Sequence, residues 1–233
     1  MKIVTNTKLI QRNKKIGQFL TIGALLILGI GLYFSFTQPE QITITFGALL
    51  FGFLMTQIGI YYGNRWGKSP RPDELLTASL KGLEDKYTLY HYTTGIPHAL
   101  IGPAGIIALI PVSVAGKINY DESRERFRQK GGNIYLKIFG QGSLGRPDLD
   151  ARYAIDDMTK FLKKNFSEIE LAEVNPVLVF TNKKAELDVE QSPIPAVQLE
   201  KIKDYIRKRG KEKPSSLATI SIIQAGLPTK DIE

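Results

Sequence analysis

The two histidines are the residues of this chain best suited to acid–base chemistry or metal binding near neutral pH. They are its only imidazoles, His91 and His98. The segment YTLYHYT, which holds His91, is rich in aromatic residues and threonine and so predicts a strand, and His98 opens the next predicted strand. We favour hydrogen-bonded or solvent-edge histidines here over catalytic ones. The chain has no cysteine, which excludes disulfides, thiolate catalysis and cysteine metal sites.

A run of basic residues alternates with other residue types after Asp121. Alternate positions share one face of a strand, so these residues form the best local basic patch outside the apolar segments: Arg124, Arg126, Arg128 and Lys130. We favour a solvated strand face, and contact with lipid headgroups or a partner is the alternative. Aromatic side chains that could stack on nucleic-acid bases lie in the earlier strand, at Tyr87, Tyr90 and Tyr92. Tyrosine also favours strands by itself, which we prefer.

A glycine-rich segment covers residues 131–145, with its glycines at Gly131, Gly132, Gly140, Gly142 and Gly145. It has no Gly-Lys-Ser/Thr ending and does not lead from a strand into a helix, as a phosphate-binding loop does. We predict a flexible loop, with a short helical turn at the letters IYLKIF as a further expectation.

Two uncharged apolar stretches dominate the first quarter of the chain, at residues 18–37 and 42–62. About 20 apolar residues suffice for a helix to cross a bilayer. Only residues 38–41 separate the stretches, so we predict a transmembrane helical hairpin over residues 18–63. Buried core helices usually have a polar face, and a cleaved signal peptide has a shorter apolar core, so we disfavour both alternatives.

Charge predicts the orientation of this hairpin. Residues 1–17 are basic and contain no acid, three more basic residues follow within 65–71, and the turn holds only Glu40. Basic flanks stay on the cytoplasmic side, so we expect a multi-pass protein of the cell membrane with both termini cytoplasmic. The lipid bilayer is its predicted partner, contacted at the interface by Lys14, Lys15, Arg65, Trp66, Lys68 and Arg71. These flanks carry nearly all of the net charge of +8, which makes nucleic acid a weaker candidate.

The second apolar stretch also carries a stripe of small residues at spacings of three and four. The stripe consists of Ala48, Gly52, Thr56, Gly59 and Gly63. Small residues let another helix approach closely. The first apolar helix is the predicted partner, and a homodimer or a partner helix in a larger membrane complex is the alternative.

A mixed α/β domain is predicted behind the hairpin. After a linker at 64–72, a helix starts at Pro72 with acids in its first turn, and strands follow to residue 112. A hairpin over GKINYD and the basic run, a helix over 147–165, strands at 177–180 and 185–189 and a helix over 197–209 complete the domain at 73–209. The tail, 210–233, is either a short docking helix or disordered.

The segment HALIGPAGIIALIPVSVAGKINYD resembles the central motif of the nuclease-related domain (NERD) family, in which two strands joined by a Gly-Pro-x-Gly turn lead to Gly-Lys. Asp73-Glu74 before the LLTASLKGL helix is similar to the family's opening Gly-Glu, residues 147–150 resemble its Asn-Pro-x-x-Gln, and residues 176–181 resemble its late strand. The resemblance implies a restriction-endonuclease-like fold, and a nuclease in which Asp and Glu hold a divalent ion beside a Lys.

The resemblance also implies that the catalytic positions have been lost. The family's Asp, Glu and Lys positions fall on Pro97, Ile110 and Val112, none of which can bind a metal or move a proton. Glu74 matches a family acid, and Asp150 stands at the family's Gln position. We therefore expect no metal, no cofactor and no nuclease activity, hence a pseudoenzyme acting as a membrane-anchored binding or scaffolding module. The alternatives are a metal-dependent nuclease with a relocated acid set of Glu74 and Asp150, and an accessory subunit of a membrane complex.

Overall fold

The structure, a computed structural model, describes residues 1–131, 143–166 and 173–233. The chain forms two compact units: residues 7–71 make one, and residues 1–6 together with residues 72–232 make the other. Three of the predicted loop glycines, Gly132, Gly140 and Gly142, lie outside the described residues, as does the IYLKIF turn. Gly131 and Gly145 adopt φ values of 78° and 65°, a left-handed conformation that favours glycine.

Two long apolar helices make up the first unit. Helix α1 spans Thr7–Thr37, helix α2 spans Ile42–Tyr62, and a π-helical turn continues α2 over Gly63–Gly67. Both helices are long and apolar enough to cross a membrane, which confirms the two predicted apolar helices. Helix α1 begins well before the predicted boundary at residue 18, because residues 7–16 contain neither proline nor glycine to interrupt it. The predicted linker at 64–72 begins inside the π-helical turn.

The second unit is built on a mixed sheet of six strands: β1 Lys2–Thr5, β2 Thr88–His91, β3 His98–Gly102, β4 Gly105–Val112, β7 Val174–Phe180 and β9 Ala196–Gln198. The strand order is β1-β2-β3-β4-β7-β9. Strands β2, β3 and β4 form an antiparallel meander. Strand β1 runs parallel to β2, and β7 runs parallel to both β4 and β9. The domain is therefore mixed α/β, as predicted.

In the part of the chain that the structure describes, four helices cover the two faces of this sheet: α3 Pro72–Leu80, α4 Pro147–Asn165, α5 Ile202–Glu212 and α6 Leu217–Gly226. Successive strand residues point to opposite faces. On β4, Ile106 and Ala108 are in the core with α4 and α6. Ile107 and Leu109 are in a separate core with α3 and α5. Helices α3 and α4 therefore lie on opposite faces of the sheet.

A second sheet of three strands lies beyond the C-terminal end of β4. Its strands are β5 Gly116–Asp121, β6 Arg126–Lys130 and β8 Ala185–Asp188, in the order β6-β5-β8. The predicted hairpin of β5 and β6 is present, although a short 3₁₀ helix at Glu122–Arg124 forms its turn. Ile118 and Phe127 join a third apolar cluster with Leu178 and Phe180 of β7, so the two sheets share a core.

The ends of the chain belong to the sheet domain, which is larger than the predicted 73–209. Val4 of β1 is buried in the same core as Ile220 and Ile223 of α6. Asn6 also forms a parallel bridge with Ile232. Val4 is the one fully buried residue of this strand, and four residues are too few to be recognised as a strand without the partner β2. The C-terminal segment 210–233 contains a docked helix, the first of the two predicted alternatives.

The predicted helix over 197–209 is shifted toward the C-terminus. Residues Ala196–Gln198 form the edge strand β9, Leu199–Lys201 form a 3₁₀ turn, and α5 begins at Ile202. The helix Pro147–Asn165 has the predicted bounds. Its apolar residues at spacings of three and four include Met158 and Leu162, which are fully buried.

Candidate functional site

The three positions at which the family resemblance implies catalytic residues are structural in this chain. Pro97 lies in the turn before β3, where its carbonyl accepts a hydrogen bond of 2.8 Å from the backbone N–H of Tyr92. Ile110 and Val112 lie near the end of β4 and pack in the third apolar cluster beside Phe180. These side chains supply hydrocarbon contacts and have no atom that can hold a cation.

Glu74 and Asp150, the proposed relocated acid set, are carried by different helices on opposite faces of the sheet. Glu74 lies in the first turn of α3, and Asp150 in the first turn of α4. Within residues 1–131, 143–166 and 173–233, no three His, Asp or Glu side chains come together to hold a metal ion. The structure does not bring the two acids together with a third ligand among these residues.

The first turn of α4 holds a pair of aspartates in contrasting environments. The guanidinium of Arg146 donates hydrogen bonds to both carboxylate oxygens of Asp148, with Nη2 2.7 Å from Oδ2. This guanidinium holds the pKa of the buried Asp148 carboxyl below its usual range. Partial burial, and then the charge of Asp148, raise the pKa of Asp150. The ion pair lies at the start of α4.

The predicted basic patch is only partly a strand face, and acids neutralise some of it. Arg126, Arg128 and Lys130 lie on β6, whereas Arg124 lies in the preceding 3₁₀ turn. Arg128 Nε is 2.8 Å from Asp121 Oδ2. The pKa of Asp121 is lowered, first by the hydroxyl of Ser123 and then by nearby arginines. On the adjoining strand β5, Lys117 pairs with Asp188 at 3.0 Å. This part of the second sheet therefore carries acids as well as bases.

The two histidines are buried and face each other across β2 and β3. His91 pairs with His98 in the antiparallel register, and their side chains are 1% and 3% exposed. Their Nδ1 atoms are 2.9 Å apart. His91 Nε2 is also 2.9 Å from Oγ1 of Thr77 on α3. One Nδ1 must donate and the other accept, and a hydroxyl can serve either tautomer. The histidines are thus hydrogen-bonded, one of the two predicted outcomes, and are not at a solvent edge.

Both segments that flank the apolar hairpin in sequence reach this histidine pair. Asn6, the last residue before α1, donates its backbone N–H to the carbonyl of His91 at 3.0 Å. Its side-chain amide donates to the carbonyl of Tyr92 at 3.2 Å. Thr77 lies on α3, the first helix after the hairpin. Tyr92 has a φ of 59°, and its ring lies 5.0 Å from that of His98. The pair therefore contacts both segments of the sheet domain that adjoin the hairpin in sequence, Asn6 before it and Thr77 after it.

The small-residue stripe of α2 packs against α1 inside the hairpin. A Cβ placed on Gly59 would lie 2.8 Å from Oγ1 of Thr21, and one on Gly52 would lie 2.7 Å from Leu28. Conversely, a Cβ on Gly31 would lie 2.8 Å from that of Ala48. Thr56 donates its hydroxyl to the carbonyl of Gly52 within its own helix, and Gly63 lies at the start of the π-helical turn. A homodimer through this stripe would need α1 to be displaced.

Helix α1 contributes a matching stripe that the sequence analysis missed. Its buried residues recur every seven positions, at Ile10, Gly17, Ala24 and Gly31. A seven-residue repeat places these residues along one seam, and small side chains there allow close contact. The spacing is visible in the sequence and is additional support for the prediction that α1 is the partner of the α2 stripe.

Aromatic and basic side chains meet at the end of α2 and in the π-helical turn. Arg65 donates to the hydroxyl of Tyr61 at 3.0 Å, and its guanidinium lies 5.4 Å from the centre of the Trp66 ring. Trp66 is buried. Of the other predicted interface residues, Lys14, Lys15 and Lys68 are exposed, and Arg71 is half-buried. Such an arrangement of Tyr, Trp and Arg is typical of the boundary between hydrocarbon and headgroups.

Comparisons with models of protein families, with curated proteins and with solved structures found no match to this chain. The resemblance to the nuclease-related domain therefore stays a prediction based on motifs.

Two features of the domain gave some signal in the sequence that was not used. Arg146 and Asp148 flank Pro147, and an acid in a first helical turn beside an arginine predicts an ion pair. The histidines flank a short connection between two predicted strands, so pairing these strands as a hairpin would have brought them together. Thr77 gave no signal, because its role depends on how α3 packs on the sheet.

Proposed function

We propose that this chain is a membrane-anchored binding or scaffolding module, with its apolar hairpin in the cell membrane and its sheet domain in the cytoplasm. One observation carries the proposal. Residues 2–5, which precede the hairpin, pair in parallel with residues 88–91, which follow it. A chain that crosses a bilayer twice returns to the side from which it started, so a hairpin anchor is compatible with a single domain built from both flanks.

The surface of the hairpin supports a lipid environment. Its large apolar side chains are exposed over the length of both helices, among them Phe19, Leu25, Phe36 and Phe46. Buried apolar area stabilises a chain by about 25 cal/mol per Å², so water is a poor solvent for such a surface. Hydroxyls within the helices bond to carbonyls four residues earlier, as Thr21 does to Gly17 at 2.9 Å. These bonds satisfy hydroxyl groups that would find no hydrogen-bond partner in hydrocarbon.

The charge of the flanks supports the cytoplasmic side for the domain. Lys8, Arg12, Lys14 and Lys15 lie on the first turns of α1, and Arg65 and Lys68 follow α2. Basic residues next to a span are retained on the cytoplasmic side and attract anionic headgroups. Tyr61, Arg65 and Trp66, which interact at the end of α2, are the residues that we assign to the headgroup region.

A binding role, without nuclease chemistry, is supported by the residues at the implied catalytic positions. Pro97, Ile110 and Val112 offer no ligand for Mg²⁺ and no base for water. The described elements include α3, β2, β3, β4, α4 and β7 in this order, with the β5–β6 hairpin between β4 and α4. We propose that the domain is a relative of the nuclease-related domain that retains the scaffold.

The full chain in detergent tests the absence of nuclease activity, because a fragment starting at residue 72 would lack β1. We expect single- and double-stranded nucleic acid to stay intact with Mg²⁺ or Mn²⁺ present. Metal-dependent cleavage that Glu74→Ala or Asp150→Ala abolishes, and that the exposed control Asp156→Ala leaves unchanged, would overturn this part of the proposal. Salt-sensitive binding without cleavage, lost on replacing Arg126 and Arg128, would instead identify nucleic acid as the ligand.

A further inference from the structure

The interior of the sheet domain contains two titratable side chains that take no part in the proposed function. His91 and His98 stand out because two titratable rings face each other in the interior of the domain. Histidine is the side chain whose charge ordinarily changes between about pH 5 and pH 8. We call the set His91, His98, Thr77 and Asn6 the histidine clasp.

The clasp joins α3, β3 and the end of β1 to β2 through the hydrogen bonds of His91. Thr77 of α3 bonds to His91 Nε2, and His91 Nδ1 faces His98 Nδ1 of β3. The backbone of the same His91 accepts from Asn6 at the end of β1. One element, β1, ends where the apolar hairpin begins, and the other, α3, begins after the hairpin ends. A change at the histidine pair therefore acts on both attachments of the hairpin.

The Nδ1–Nδ1 distance limits how many protons the pair can hold. At 2.9 Å one proton can bridge the two nitrogens, both when the pair is neutral and when it carries a single positive charge. A second added proton places N–H groups on both nitrogens, facing each other. That arrangement removes the hydrogen bond and sets two like charges against each other in the interior. The contact is compatible with the first protonation and incompatible with the second.

Two acids and an aromatic ring lie on the elements that carry the clasp. On α3, Asp73 is buried one turn before Thr77, and Glu74 lies in the same turn. On the β2–β3 side, the ring of Tyr92 contacts His98. Asn6 at the end of β1 does not titrate. A carboxylate on α3 cannot restore a bond between two protonated Nδ1 atoms.

We propose that the histidine clasp is an acid-sensitive latch, which opens when both rings are protonated and releases β1 and α3 from the end of β2. The direction of the pH effect follows from proton binding. The open or unfolded chain can bind both protons and the closed clasp cannot, so acidification favours opening. This inference concerns contacts inside the sheet domain and does not require the hairpin to lie in a membrane. Its failure would leave the proposed anchoring untouched.

Hydrogen exchange on the full chain in nanodiscs tests the latch. Protection factors, with the intrinsic exchange rate divided out, are measured for the Asn6 and Tyr92 amides between about pH 7.5 and pH 5. We expect the wild type to lose at least about tenfold in protection at both amides, corresponding to one unit of proton affinity. The amide of Ile118 in the second sheet is the internal control and should change less than about twofold.

The matched variant is His98→Asn, whose amide can bond to His91 Nδ1 and does not titrate. We expect its Asn6 protection to change by less than about threefold over the same range. Equal loss in the variant and the wild type, or no loss in the wild type, would overturn the latch. If the variant does not fold, nitrogen-15 imidazole spectra of the wild type decide: the second protonation must coincide with loss of the Asn6 bond, and a titration that leaves the Asn6 amide unmoved contradicts the proposal.

Discussion

The hairpin unit exposes the large apolar residues that the sheet domain buries. Phe19 and Phe36 of α1 are 73% and 79% exposed, whereas Phe180 of β7 is fully buried. In the hairpin, the contact surface consists of Gly17, Ala24 and Gly31 against the small stripe of α2. Large apolar side chains in contact with solvent indicate a solvent that is itself apolar. The hairpin unit thus packs through small residues and keeps large ones outside, the reverse of the sheet domain, as expected for a helix pair that we propose to lie in lipid.

The first test concerns β1, the strand that precedes the hairpin in sequence, and we expect it to have the largest effect. Val4 of β1 is 1% exposed in the core of the domain, while its neighbour Ile3 is 42% exposed. Val4→Asp should destabilise the domain by about 3–5 kcal/mol, because it buries a carboxylate among apolar side chains that cannot pair with it. Circular dichroism during urea unfolding in detergent measures the change. Ile3→Asp is the matched control and should cost less than about 1 kcal/mol; equal effects would show that β1 is not part of the core.

The second test concerns the hairpin interior. A side chain at Gly59 would meet both the hydroxyl and the backbone of Thr21, whereas a Cβ on Gly47 meets nothing within 4 Å. Gly59→Leu should destabilise the packing of α1 on α2 by about 1–3 kcal/mol through overpacking. Trp66 is the single tryptophan and lies in this unit, so its fluorescence during thermal unfolding in micelles reports the change. Gly47→Leu should lie within about 0.5 kcal/mol of the wild type, and a similar loss there would argue against the assigned interface.

The third and smallest effect concerns the ion pair at the start of α4. Arg146 is about half exposed, so Arg146→Met should cost only about 1 kcal/mol at neutral pH. The Asp148 pKa is lowered in the folded state, so its contribution is present above the ordinary carboxyl pKa and is lost as the pH falls through the folded pKa. Urea unfolding should therefore show the variant and wild type converging on acidification. Arg152→Met, which removes a 3.9 Å exposed pair, is the control and should change little at any pH.

The hairpin was predictable because its signals are local. Uncharged runs of sufficient length define α1 and α2 within the sequence itself, and the four-residue turn sets their antiparallel arrangement. In the same way, the spacing of Met158 and Leu162 defines α4. The predicted start of α1 was late only because residues 7–16 were assigned by charge, not by helix propensity.

The rest of the domain depended on contacts that are distant in sequence. β1 pairs with a strand more than eighty residues later, and the hairpin lies between them. The letters KIVT contain no turn or cap that would reveal this partner. The edge strand β9 was similarly assigned to a helix, because Ala196–Gln198 becomes a strand only by pairing with β7. Of the candidate site, the motifs indicated the apolar catalytic positions, but not the contact of Thr77 with His91.

Labelling of single cysteines tests the central claim most directly, since the chain has none of its own. Glu40→Cys lies in the turn of the hairpin, Lys2→Cys in β1 and Lys164→Cys at the exposed end of α4. With a membrane-impermeant maleimide on intact cells, we predict labelling of the Glu40 variant alone, and of the other two variants only after permeabilisation. Labelling of Lys2→Cys and Lys164→Cys from opposite sides of the membrane would contradict the account.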